Sequence, residues 1–263
     1  MTSEDQYERR TLPHSGPVTP HPNGMNARAV GSAVAVTGVA LATGAVVPLL
    51  PRAARFPVTV AATGAALALA RAGGASAADL GADPADFATG ARAGAGVAAL
   101  VGTVVAAAVA APATRGLFAD ARVTEATPAR AAYEVLVRIP FATALVEEVL
   151  FRGAVLGAWR RAIGTPGAMA VSSLAFGVWH VLPALESHTH NPAGAGLSAR
   201  VGGRSAHGGG TVLATAAAGV AFAALRLRSR SVLAAALAHA AVNEAAYLGA
   251  RWAHPRRQDG RQA

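Results

Sequence analysis

The chain has 263 residues, of which 53% are hydrophobic and only 14% charged, and its formal net charge is +9. A water-soluble domain carries charge on roughly a quarter of its positions, so this shortfall and a mean hydropathy of +0.38 point to a membrane protein. All the basic charge is arginine, and the absence of cysteine excludes disulfides and thiolate metal sites.

Residues 1–28 are polar and punctuated by Pro13, Pro17, Pro20 and Pro22, the composition of a disordered tail. His14 and His21 are read there as solvated. Windows 29–51 and 93–114 carry no charge and exceed the roughly 20 residues that a membrane-crossing helix needs. Window 56–70 lies between them and is shorter. The connection 73–87 holds Asp79, Asp83 and Asp86, expected to form a solvated turn. After a polar connector at 115–130, helical pattern resumes at Ala131 and runs to about residue 162. Pro140 removes a backbone donor and should kink or divide that run, leaving 131–139 as an entry segment and 140–161 as a span. Gly164-Thr-Pro-Gly167 is a turn, and the next span covers 162–185. A Gly/Ser/His-rich loop at 186–210 contains His188, His190 and His207, read as surface residues. Two last spans, 211–225 and 231–250, precede a basic tail at 251–263.

The fold class is therefore all-α, a polytopic integral membrane helical bundle of about seven transmembrane helices. Its N-terminal helices and connectors occupy 29–128, and a second unit occupies 129–250. Arg52/Arg55, Arg160/Arg161, Arg226/Arg228/Arg230 and Arg256/Arg257 flank apolar runs, which reads as membrane anchoring and not as a nucleic-acid surface. Arginine numbers on the two sides of such a bundle are nearly equal, so orientation stays open. The Ala- and Arg-rich composition suggests a GC-rich bacterial source and hence the bacterial plasma membrane.

The span 140–161 contains Glu147, Glu148 and Arg152 among apolar neighbours. Each charged side chain at the centre of a membrane helix costs roughly 2.5–3.5 kcal/mol on insertion scales, so this cluster must pair, face a wet cavity, or both. Glu148 and Arg152 are four apart with acid before base, the favourable order for a pair on one helix face. Glu147 is rotated away from both and faces something else.

Two further apolar spans carry polar elements: Phe176-Gly-Val-Trp-His180 and His239-Ala-Ala-Val-Asn243. A lone buried histidine or asparagine is usually structural. Three spans that each contribute such a group are different, because bundles turn polar side chains toward a common interior. Glu244, beside Asn243, lies on another face of its helix.

Glu-Glu-x-x-x-Arg, Phe-x-x-x-His and His-x-x-x-Asn, in that order on separate apolar helices, resemble the CPBP family of intramembrane endopeptidases. This is the CAAX-protease and bacteriocin-processing family, related to the type II CAAX prenyl endopeptidases. The resemblance covers about residues 130–250 and makes 129–250 a catalytic core. It implies that Glu147 is the general base that polarises the attacking water and that His180 helps to hold that water. It also implies that His239 and Asn243 stabilise the oxyanion, with Glu148 and Arg152 supporting the site.

Metal dependence stays open on these motifs. Glu147, His180 and His239 are candidate ligands for a divalent metal such as zinc, but the His-Glu-x-x-His signature of soluble zinc proteases is absent. The favoured mechanism requires no cofactor. The implied partners are the lipid bilayer and a membrane-associated peptide or protein substrate, lipidated or of bacteriocin type, with no nucleic acid and an undetermined oligomeric state. The rival expectations are a non-enzymatic scaffold or immunity protein of the same fold, and a proton or metal transporter.

Overall fold

The protein is described as a computed structural model covering residues 27–118, 120–182 and 203–253, and every regular element among them is helical. The readings of residues 1–26 and 254–263, of His188 and His190, and of the His207 side chain lie outside the described residues. Helix α1 is Ala27–Val46, tightened by a 3-10 turn at Val47–Leu49. It is followed by α2, Arg52–Ala72, and by α3, Phe87–Ala110, which a 3-10 turn at Pro84–Asp86 introduces. Short helical turns at Pro112–Arg115 and Ala121–Thr124 lead to α4, Pro128–Tyr133.

The chain then winds on without a break. Glu134–Leu145 is π-helical, Val146–Glu148 is a single α turn, Val149–Val155 is π-helical again, and α5 covers Leu156–Trp179. Pro140 sits inside the first wide stretch. A proline lacks the N–H that an α turn needs, and a π turn is one way for a helix to continue past such a fault. The break arrives later, at Gly164, whose φ of 77° and ψ of 177° end one helix just before Pro166 in the next. The last two helices are α6, Gly203–Ser229, and α7, Val232–Ala253. Helix α6 thus begins well inside the stretch expected to be a loop at 186–210.

Five helices are long and apolar enough to cross a membrane: Ala27–Leu49, Arg52–Ala72, Pro84–Ala110, Gly208–Ser229 and Val232–Ala253. The protein is an all-α membrane bundle. The expected spans at 140–161 and 162–185 are not among the five, for two physical reasons. The first carries the charged cluster and Arg160-Arg161, and the second is cut at Gly164.

Small residues set the packing, as expected where apolar lipid gives helices little hydrophobic reason to associate. Helix α3 lies against α7, where a Cβ at Gly90 would strike Ser231 and one at Gly94 would strike Leu237. Helix α6 lies against α5, with Gly219 over Ser173 and Gly177 over the Val212 carbonyl. Helix α1 packs along α5, where Thr37 Oγ1 accepts a 2.8 Å hydrogen bond from Trp159 Nε1. One apolar core joins Ala33, Val36 and Ala40 of α1 to Leu150, Phe151, Val155 and Phe176. The N-terminal helices are therefore part of the wall around the charged cluster.

The loop between α2 and α3 also differs from a solvated turn. Leu80 is buried in the main core, and the Asp79 carbonyl rests on Gly157 of α5. Arg226, expected to be a membrane anchor, is 1% exposed and donates through Nη2 to the Ala78 carbonyl at 3.1 Å and to the Asp79 carbonyl. The Asp79 carboxylate accepts from the Ser76 amide and hydroxyl, both at 2.9 Å, and pairs with Arg161 at 3.4 Å. Asp86 is buried and accepts from Arg230 Nε at 2.9 Å. Helical pattern places these groups one element at a time. It does not show arginines of distant elements converging on one loop.

Candidate active site

The charged cluster lies where the winding changes from π to α and back. Glu148 and Arg152 are both fully buried, and Arg152 Nη1 donates to Glu148 Oε1 at 3.0 Å. Arg152 also lies over the Phe176 ring, 4.1 Å from its centroid. Charge pairing and the ring face together shelter a guanidinium that burial would otherwise penalise heavily.

His239 of α7 extends this pair. Its Nδ1 lies 2.9 Å from Glu148 Oε1, the same oxygen that Arg152 holds. A carboxylate only accepts, so the ring proton sits on Nδ1 and Nε2 is turned the other way. Phe222 of α6 stacks on the imidazole at a 5.1 Å centroid distance and 19° between planes, and Phe176 meets it edge-on. The ring is held on three sides.

His180 follows the last residue of α5, with its backbone N–H bonded to the Gly177 carbonyl. It stands at a helix end, and not deep within a span. Its Nδ1 lies 2.8 Å from the Phe176 carbonyl. A carbonyl also only accepts, so here too Nδ1 holds the proton and Nε2 is free. Phe176 fixes the imidazole from the side, with centroids 4.4 Å apart.

Both free nitrogens face Glu147. Its Oε2 is 3.8 Å from His180 Nε2 and 4.0 Å from His239 Nε2, is buried, and has no hydrogen-bond partner among the described residues. One water making hydrogen bonds of about 2.8 Å at near right angles spans about 4 Å between its partners, which suits these gaps. Zinc bound at 2.0–2.1 Å in tetrahedral geometry holds its ligand atoms about 3.4 Å apart. The observed spacing is wider than that, and among the described residues no group of three or more His, Asp or Glu side chains is arranged to hold a metal ion.

Asn243 lies one turn beyond His239 on α7 and is half-buried. The chain thus brings Glu147, His180 and His239 together, seats Glu148 and Arg152 behind them, and leaves Asn243 alongside. Glu244 is half-buried on a different face of α7. Sequence reasoning missed Phe222. Its signal was present, as one aromatic residue amid the Ala-rich run Ala-Gly-Val-Ala-Phe-Ala-Ala.

A helical membrane bundle that surrounds a carboxylate and two imidazoles defines a broad class: an integral membrane protein with a buried polar site. Residues 130–245, somewhat under half of the chain, match the family described as type II CAAX prenyl endopeptidase Rce1-like. This agrees with the CAAX-protease resemblance of the three motifs and supports a CAAX-type intramembrane protease kind of function. No curated protein and no solved structure matches the chain.

Proposed function

We propose that this protein is an intramembrane endopeptidase that hydrolyses a peptide bond of a membrane-associated substrate with water activated by Glu147. The observation that carries the reading is the partnerless Glu147 Oε2 set between the Nε2 atoms of two imidazoles. A water there donates one hydrogen to Glu147 and the other to His180 Nε2. As its oxygen attacks the carbonyl carbon, Glu147 takes the proton. It returns that proton to the departing amide nitrogen as the C–N bond breaks.

The oxyanion formed in between needs donors. Asn243 supplies its amide N–H groups, and stabilisation of this sort is worth about 3–4 kcal/mol of barrier in other proteases. His239 donates through Nε2 only when its ring carries both protons, because Nδ1 is committed to Glu148. The substrate class that the family description suggests is a C-terminal peptide that follows a prenylated cysteine. A bacterial protein with this site also suits an unprenylated membrane peptide of bacteriocin-precursor type.

The test is cleavage of a membrane-anchored peptide by purified wild type and by Glu147→Ala, each with and without a chelator. Cleavage by wild type alone, unchanged by the chelator, supports the reading. Equal cleavage by both proteins removes Glu147 from the mechanism, and loss with chelator alone replaces the shared water with a metal.

A further inference from the structure

Helix α7 presents three different sides to its neighbours. Ser231, Ala234 and Leu237 meet the glycines of α3, and Ala235 and Ala238 pack with Phe222 of α6. Helix α7 also packs against the π-helical stretch Glu134–Leu145, the Glu147 turn and the short turn Ala121–Thr124. By helical rotation His239, Asn243 and Tyr247 share one side of α7, away from the α3 contact. Steps of four residues rotate by only about 40°, so all three stay within about 80° of one another.

Tyr247 is the unexplained member of this row. Its hydroxyl is buried and has no hydrogen-bond partner among the described residues. An orphaned buried hydroxyl is costly to a folded chain, and each such group in a native structure calls for an explanation. A phenylalanine would pack the same ring without that cost. The other orphaned atoms include Glu147 Oε2, where a reactant would bind. Asn243 lies between Tyr247 and His239 along the helix. A buried hydroxyl with no partner among the described residues, on the same side of the helix as His239, is suited to a partner that arrives from outside.

The spacing identifies the chemistry of that partner. At 1.5 Å per residue, His239 and Tyr247 are about 12 Å apart along the helix. An extended peptide advances about 3.3 Å per residue, so the row matches three to four residues of main chain. We propose that Tyr247 is a substrate-seating residue: its hydroxyl donates to a main-chain carbonyl of the peptide, two or three residues from the bond positioned at Glu147. The proposal rests on the peptidase reading and extends it from the scissile bond to the bound segment. Because it uses main-chain groups, the seat accepts apolar sequences with little regard for side chain.

Binding separates this inference from turnover. The probe is a fluorescent peptide ending in S-farnesylcysteine and three apolar residues, titrated in proteoliposomes against Glu147→Ala and against Glu147→Ala with Tyr247→Phe. Loss of one neutral hydrogen bond raises Kd by about 3- to 10-fold, while melting temperature stays the same or rises because only an orphaned hydroxyl is removed. The same Kd in both proteins, or no binding of the probe to either, overturns the proposal. Cleavage by wild type is measured in parallel. If wild type binds but does not cleave, and Tyr247→Phe still weakens binding, the peptidase reading fails and the peptide seat stands.

Discussion

Glu148 and His239, 91 positions apart, meet at 2.9 Å through Glu148 Oε1, an oxygen that also accepts from Arg152 at 3.0 Å. One carboxylate therefore neutralises the buried guanidinium and sets the tautomer of an imidazole that faces the reacting centre. Substitutions separate these two duties. Glu148→Ala leaves Arg152 buried without its counter-charge, a change of about 3–5 kcal/mol, and is expected to lower melting temperature sharply. Glu148→Gln keeps an acceptor near both partners but removes the charge. It is expected to fold with a smaller loss and to cut cleavage by roughly 10²-fold, a milder version of what losing an orienting aspartate does in a serine protease triad. Wild-type cleavage by Glu148→Gln would show that the carboxylate serves Arg152 alone.

Glu147 predicts the opposite division between stability and activity. Its Oε2 is buried with no hydrogen-bond partner among the described residues. Removing that charge relieves desolvation without breaking a contact. Glu147→Gln is expected to melt no lower than wild type and to lose roughly 10²–10⁴-fold in cleavage, the range for a general base. A thermal melt and a cleavage assay on one preparation check both halves. A lowered melting temperature with residual activity would make Glu147 a structural residue.

The contrast between these two glutamates also shows what the sequence could convey. Four-residue spacing alone pairs Glu148 with Arg152 and turns Glu147 away, because that relationship is local to one helical run. The hydrogen bond from His239 is not local, so no periodicity announces it. The same holds for Phe222 against His239 and for Arg226 against the loop at 78–79. Apolar windows locate α1, α2, α3 and α7 well, since length and hydropathy decide them. Over 140–182 they anticipate the fault at Pro140 and the turn at Gly164, but not the π-helical winding that carries the chain past Pro140. They also give no hint that α1 walls the site, since an Ala/Val/Gly helix reads the same against lipid and against protein.

Gly157 makes the loop contact testable. A Cβ there would come within 2.8 Å of the Asp79 carbonyl oxygen, a backbone atom that cannot swing aside. Gly157→Ala is expected to cost about 1–3 kcal/mol, as overpacking does, and to lower cleavage because the same helical run carries Glu147. Gly102 of α3 has open space where its Cβ would stand. There the same substitution gains up to about 1 kcal/mol of helix propensity, so Gly102→Ala should melt at or above wild type. Equal melting temperatures for the two variants would mean that the loop does not press on α5.

Asp79 gives that loop a pH dependence. Burial alone would push its carboxyl up, but the Ser76 amide and hydroxyl, with Arg161 and Arg160 nearby, outweigh this and hold it below the ordinary aspartate value. A carboxyl whose pKa is lowered by folding contributes stability above its unfolded value of about 3.9. That contribution fades as pH falls through the lower, folded value. Asp79→Asn removes the charge and should melt below wild type at neutral pH. The gap should persist down to about pH 4 and close in more acid solution, where the wild-type carboxyl also becomes neutral. Thermal melts of both proteins across pH 3–7, in one detergent at one salt concentration, check this. A gap that stays constant to the acid end would assign the effect to hydrogen-bond geometry at Ser76 and not to the charge.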